Sequence, residues 1–298
     1  MPLVNIIMTC HNGEKFIEPA IKSLLKQTHK NWQLIFYNNF SNDKSLEIVE
    51  SFQDDRIRCF TSNKLLNLGQ IRGLAIELCK GEYISFLDVD DYWNDHKIEK
   101  QIKKFKENQN FDLIYCNYYL VKKNIESKKI KTLNRGICPE KLIESYIDGN
   151  PLTSWLTVMV KAECVKKLEY SFDKNLHIAS DMDFFMRLSL YCNMNYIEDY
   201  LAYYRIHDDN ESKDKSKEIE ELFYICQKYQ ENIELKKFLN YKNFSDKIFI
   251  KNFLYNQTSK EQIINYKTNI KGFLYKVIFF LISILPKKLI QKLYKCFY

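Results

Sequence analysis

The chain has 298 residues, 46% hydrophobic and 28% charged, with only seven glycines and five prolines. That length fits one large or two modest domains, and the composition excludes a disordered, collagen-like or low-complexity chain. The net charge of +7 sits in residues 211–298, which carry 17 basic against 9 acidic side chains while residues 1–210 carry 28 against 29, so the basic face of a nucleic-acid binder is missing from the main domain and nucleic acid is not an expected partner.

Residues 3–10 are a short apolar run ending in Thr9, Cys10, His11, Asn12 and Gly13, which predicts a buried strand entering a turn. Over 14–27, Phe16, Ile17, Ala20, Ile21, Leu24 and Leu25 recur at helical spacing, with Pro19 near the start. A second strand is predicted over 33–37, then the polar segment from Asn38 to Asp43, then a helix over 44–52. A third strand follows over 57–61, and a helix over 70–79 stops at Lys80-Gly81. The fourth apolar strand, 83–87, runs into Asp88-Val89-Asp90-Asp91.

Beyond it come a charged helix over 95–109, a strand over 113–121 and a stretch without clear pattern over 122–150. A strand over 156–160 leads into a helix, another helix over 179–191 begins with Ser180-Asp181, and a strand covers 195–205. The polar run from His207 to Glu218 marks the domain boundary, and the pattern is helical from 217 onward. The expected architecture is therefore α/β, a mainly parallel sheet covered by helices over 1–210 with a helical, basic region over 211–298.

Nine cysteines stand singly, without a CxxC pair, which gives neither a zinc knuckle nor a disulfide framework and points to a reducing compartment. No basic segment precedes the first apolar run, so no secretory signal is read and a cytoplasmic location is expected.

In a parallel sheet covered by helices, ligands bind at the carboxyl ends of the strands. The polar clusters at 9–13, 38–43 and 88–91 all fall there and converge on one edge. Crowded carboxylates raise free energy unless a cation neutralises them. Oxygen ligands suit Mg²⁺ or Mn²⁺, commonly held by one or two carboxylates together with substrate phosphates. The alternative for this tetrapeptide is a solvated acidic turn that caps the following helix.

Five stretches, VNIIMTCHNGEKFIEPAIKSLLKQT, SND at 41–43, NLGQIRGLAIELCKGEYISFLDVDD, SDMDFFMRL and YYRIH, occur in the order and approximate spacing of a known family. On these the chain resembles the family 2 inverting glycosyltransferases of GT-A fold, of bacterial surface-glycan type, over about residues 3–209. The resemblance implies that Asp88 and Asp90 form the DxD motif that holds a divalent cation against the diphosphate of a nucleotide-sugar. It implies that Arg72 contacts the nucleotide part of the donor. Thr9–His11 matches the loop where a tyrosine often packs on the base, with His11 in its place. Asp181 matches the acidic residue of the proposed catalytic base, with Ser180 where a glutamate is usual. Arg205 and His207 match a terminal motif that reaches the diphosphate or the cation. Asn38 and Asn39 stand where the family usually has aspartates that contact base or ribose, and Phe40 stands for a small residue.

Each residue also has a plainer reading: Asp181 as a helix N-cap, Asp183 as an acceptor contact or a cap, Arg72 as a surface residue, and Trp93 and Trp155 as packing residues ahead of sugar platforms. A non-catalytic protein that keeps the fold and holds a nucleotide or glycan is the alternative function. In the tail, 277–285 is an apolar run flanked by lysines, too short to span a bilayer. A helix over about 270–298 is therefore expected at an anionic membrane surface, with packing on the protein as the alternative. Such attachment, peripheral on the inner face of the cell membrane, suits a glycan or lipid-linked glycan acceptor.

Overall fold

The first apolar run becomes β1 (Val4–Cys10), all seven of whose residues are buried. It is hydrogen-bonded in parallel on both sides, to β2 (Trp32–Asn38) and β4 (Tyr83–Phe86), the setting in which a strand reads as a continuous apolar run. β3 (Ile57–Thr61) extends β2, also in parallel. This computed structural model describes residues 1–122, 125–130, 154–211 and 214–232, with Leu235 and Ile248.

Past β4 the sheet becomes mixed. β8 (Met159–Lys161) runs against β4 and against β6 (Leu113–Lys122). β9 (Met194–Ile206) lies parallel to β6 and antiparallel to the two-residue β5 (Tyr92–Trp93). With β7 (Ile125–Ile130) paired to β6, the order among the described residues is β3-β2-β1-β4-β8-β6-β9-β5. The parallel half carries the expected polar ends on one edge. β9 then brings residues 205–207 back toward the same edge through β5, which directly follows the acidic tetrapeptide.

Helix starts differ from the hydrophobic pattern for local reasons. α1 (Ile17–Leu25) begins three residues later than predicted because Phe16 and Ile17 donate to the Gly13 carbonyl in a turn, at 2.9 and 3.1 Å. α3 (Leu68–Glu77) begins two residues earlier, fixed by a capping box: Asn67 Oδ1 accepts from Gln70 N at 2.8 Å, and Gln70 Oε1 accepts from Asn67 N at 3.1 Å. α2 (Ser45–Glu50) and α4 (Lys97–Glu107) follow their strands as expected.

One predicted strand is corrected. Over 156–160 the chain first makes a 3₁₀ turn, Trp155–Thr157, and pairs only from Met159. Thr157 closes that turn on the Ser154 carbonyl through both its N–H, 2.9 Å, and its hydroxyl, 2.7 Å. The short helix α5 (Ala162–Val165) and then α6 (Ser180–Leu188) follow. Residues 1–210 form one unit and 211–298 a second. Of the latter, α7 (Lys215–Gln230) is described, capped by Asp214 and burying Ile219, Ile225, Cys226 and Tyr229. The predicted interface helix at 270–298 lies outside the described residues. Among the described residues no helix is long and apolar enough to cross a membrane.

Candidate active site

Leu87 N donates to Ile7 O at 3.0 Å, which extends the β1–β4 pairing to the point where the chain leaves the sheet as Asp88-Val89-Asp90-Asp91. Asp88, Asp90 and Asp91 each offer a carboxylate oxygen, and these oxygens lie within 4.8 Å of one another. Asp91 is fully buried. Its Oδ1 accepts from Arg205 N at 2.9 Å, and its Oδ2 has no hydrogen-bond partner among the described residues. Burial, then the neighbouring Asp90 and Asp88 charges, push its carboxyl well above the ordinary range, against a smaller opposing effect of the Arg205 N–H. An all-oxygen set with one orphaned, buried oxygen fits a hard divalent cation such as Mg²⁺ or Mn²⁺.

The end of β9 closes round this loop. Arg205 Nε donates to the Asp90 carbonyl, and its Nη2 donates to Phe16 O at 2.7 Å and Val89 O at 3.3 Å. Burial lowers its pKa, countered by Asp91 and Asp90. Arg205 thus fixes the acidic loop through backbone oxygens. His207 stacks on Phe16, centroids 4.1 Å apart, and its Nε2 lies 2.9 Å from Asp90 Oδ2. Asn210, which sequence reasoning missed, donates from Nδ2 to the same Oδ2 at 3.2 Å while its Oδ1 accepts from His207 N at 2.7 Å. A lone asparagine at a polar chain break gives no signal that could have found it.

α3 supplies the link to the predicted base. Its first turn is seated on the loop before α6: Gly69 N donates to Leu176 O at 2.9 Å, Leu68 N to His177 Nδ1 at 2.9 Å, and Asn67 Nδ2 to Lys174 O at 2.6 Å. A Cβ at Gly69 would collide with the Asp173 carbonyl and stand 2.6 Å from Leu176 O, so this approach requires glycine. One turn on, Arg72 is only 5% exposed. Its guanidinium lies over the Trp155 ring at 4.1 Å, donates from Nη1 to Ser180 Oγ at 2.8 Å and sets Nη2 3.6 Å from Asp88 Oδ1. The surface reading of Arg72 therefore fails. Trp155 and Trp93 are buried packing residues, 5% and 2% exposed.

Because Asp88 and Ser180 share one guanidinium, the first turn of α6, with Asp181, stands beside the acid cluster. The N-cap of α6 is Ala179, so Asp181 is not the cap; its Oδ1 accepts from Met182 N at 2.8 Å. Asp183 is fully buried and ion-paired to Arg187 at 2.7 Å, a structural role in place of an acceptor contact or cap.

Thr9, His11 and Asn39 gather at the other end of the edge, where β1 and β2 finish. Thr9 is buried and pairs with Tyr37 in the sheet. His11 is exposed, its Nδ1 2.9 Å from Asn39 O. Asn39 clamps the loop after β3. Its Nδ2 donates to Leu66 O at 2.8 Å, and its Oδ1 accepts from Leu66 N at 2.9 Å and Ser62 Oγ at 3.4 Å. These bonds use both lone pairs of Oδ1 and one of its two N–H groups.

The model of the family described as glycosyl transferase family 2 matches residues 5–159, more than half of the chain. The chain belongs to glycosyl transferase family 2. This family 2 transferase is 32% identical over 210 residues to an uncharacterised glycosyltransferase of Methanocaldococcus jannaschii, covering 69% of this chain and 71% of that one. It is 27% identical to WfgD of Escherichia coli, a UDP-Glc:α-D-GlcNAc-diphosphoundecaprenol β-1,3-glucosyltransferase, over 77% of this chain and 87% of that protein. Among solved structures, Staphylococcus aureus TarS 1–349 in complex with UDP-GlcNAc superposes with a TM-score of 0.65 at 18% identity, covering 95% of this chain and 80% of the other. The transferase therefore has the GT-A fold that its sheet order and acidic loop suggest.

Proposed function

We propose that the protein is a metal-dependent inverting glycosyltransferase that moves a hexosyl or N-acetylhexosaminyl group from a nucleotide-sugar to a hydroxyl of a glycan, lipid-linked, in bacterial surface polysaccharide or lipooligosaccharide synthesis. The observation that carries the reading is Arg72, whose single guanidinium ties the Asp88 end of the acid cluster to the helix that presents Asp181. WfgD, whose acceptor is a diphosphoundecaprenol-linked sugar, and TarS, which holds UDP-GlcNAc, support the substrate classes.

Asp88 and Asp90 hold Mg²⁺ or Mn²⁺, with His207 beside Asp90. The bound ion supplies Lewis-acid stabilisation of charge on the leaving diphosphate. Arg72 and Arg205 orient the donor and its acidic loop, and Thr9, His11 and Asn39 form the nucleotide end. Asp181 takes the proton from the attacking acceptor hydroxyl, a general-base contribution of about 10²–10⁴-fold. One attack on the anomeric carbon, opposite the departing nucleoside diphosphate, inverts its configuration. The basic tail holds the enzyme at the inner face of the cell membrane, where a lipid-linked acceptor is presented.

The test is a thermal-shift panel of nucleotide-sugars with and without Mn²⁺, followed by product analysis with the best donor. The reading requires at least one cation-dependent shift and a transferred or hydrolysed sugar. Binding without any turnover would favour a non-catalytic nucleotide- or glycan-binding protein, a reading to which Asn38 and Asn39 in place of aspartates lend support.

A further inference from the structure

β9 ends at Ile206, and the chain then folds back over His207–Asn210. Asn210 closes this turn twice: its N–H donates to His207 O at 3.5 Å, and its Oδ1 accepts from His207 N at 2.7 Å. Asp208 and Asp209 beside it are exposed, yet Asn210 is only 9% exposed. A backbone N–H can only donate, so the bond from His207 N settles which end of the amide is oxygen. The NH₂ end therefore faces inward. Three atoms surround it: His207 Nε2 at 3.0 Å, Asp90 Oδ2 at 3.2 Å and Arg205 O at 3.3 Å. Asp90 Oδ2 and His207 Nε2 are themselves 2.9 Å apart, so the amide nitrogen stands over the edge between them.

Closing the turn needs only the Oδ1 bond, so the inward NH₂ group has a use of its own. Asp88 lies 3.6 Å from Arg72 Nη2 and Asp91 accepts from Arg205 N, whereas Asp90 is met at Oδ2 by an imidazole and an uncharged amide. A cationic donor at this point would compete with a divalent ion for the carboxylate. A neutral N–H orients the oxygen and leaves its charge in place. We propose that Asn210 is a positioning residue for the divalent cation, holding Asp90 Oδ2 and His207 Nε2 in register so that the acidic loop takes the ion without first reordering. Asn210 does not itself touch the ion. The inference rests on the metal-dependent reading above. A carboxylate fixed before binding loses little freedom when the ion arrives, so the loss of such a hydrogen-bonding partner appears as a loss of about 10–100-fold in metal affinity.

The experiment is titration of the full chain with Mn²⁺, the free ion being counted by its electron paramagnetic resonance signal, in wild type, Asn210→Ala and Asn210→Leu. The leucine fills the space of the amide without its hydrogen bonds, so the two variants separate packing from bonding. Both are expected to bind Mn²⁺ about 10–100-fold more weakly than wild type and, in EDTA, to melt within several degrees of it. Asp90→Ala should leave no bound ion, which places the counted ion at the acidic loop. A lowered melting temperature with unchanged Mn²⁺ affinity makes Asn210 a turn residue only and overturns the proposal. So does an affinity lost in Asn210→Ala but kept in Asn210→Leu, failure of both variants to fold, or bound ion in Asp90→Ala. If wild type binds no Mn²⁺, the proposal and the metal-dependent reading fall together. If wild type binds it and the Asn210 variants bind it equally well, the proposal falls alone.

Discussion

Lys97 opens α4 with its side chain wholly inside the protein. Its ammonium donates to Gln101 Oε1 at 2.8 Å and Ser85 Oγ at 3.2 Å and lies 3.9 Å from the Trp93 ring centroid. Among the described residues no carboxylate pairs with it, and the nearby titratable group is the buried Cys116 thiol. Burial lowers its pKa from the ordinary 10.5 to about 8, a drop equivalent to about 3 kcal/mol. Below pH 8 folded and unfolded chains both hold the proton, and the folded state bears the full cost of the buried charge. Between pH 8 and 10.5 the folded chain releases the proton first, the unfolded chain binds more, and stability rises with pH. Lys97→Met removes the charge but leaves Gln101 Oε1 short of a donor, a loss of about 1–2 kcal/mol. The variant should therefore be about 1–2 kcal/mol more stable than wild type at pH 7, and should lose that advantage by about pH 10. Urea unfolding of both proteins at a series of pH values measures the difference, in which all other titrations cancel. A stability difference that stays constant from pH 7 to 10 would refute the buried-charge argument.

Asp181→Asn should keep cation and donor binding while turnover falls by about 10²–10⁴-fold; near-normal turnover would remove the base assignment. Mn²⁺ or Mg²⁺ at one hundred times its Kd should stabilise the protein by about 2.7 kcal/mol, read as a rise of several degrees in Tm that Asp90→Ala and EDTA abolish. Arg72→Lys cannot bridge Asp88 and Ser180 while stacked on Trp155, so donor KM should rise and turnover fall together; kinetics like wild type would show that the shared guanidinium is dispensable. Gly69→Ala should cost about 1–3 kcal/mol in denaturant unfolding because its Cβ meets backbone oxygens that cannot rotate away. Full stability in that variant would mean α3 is not locked to the 173–177 loop.

Most of the parallel half of the sheet was legible because β1, β2 and β4 are largely apolar runs that stop at polar clusters, a local pattern. The acid cluster was legible for the same reason, since Asp88, Asp90 and Asp91 follow a buried strand. What the pattern missed depends on partners far along the chain. Ser180 becomes informative only once Arg72, 108 positions earlier, donates to it. Asn210 matters through Asp90, 120 positions away. The 3₁₀ turn at Trp155–Thr157 looked like a strand because its residues are buried and mostly apolar and run into the apolar Val158–Val160. Ser154, whose carbonyl takes both Thr157 donors, decides otherwise. Asp181 carries the N-cap signature of any aspartate at a helix start, and only Ala179 in the cap position separates it from that role.

The acidic loop is completed by the final residues of its own unit, Arg205, His207 and Asn210. A shortened version made for crystallisation, or a chimaera that borrows a relative's tail, therefore has a hard limit at Asn210. Ending the insert even six residues sooner would strip three crowded acids of every donor that β9 and its extension bring them, whatever the fate of the remaining sheet.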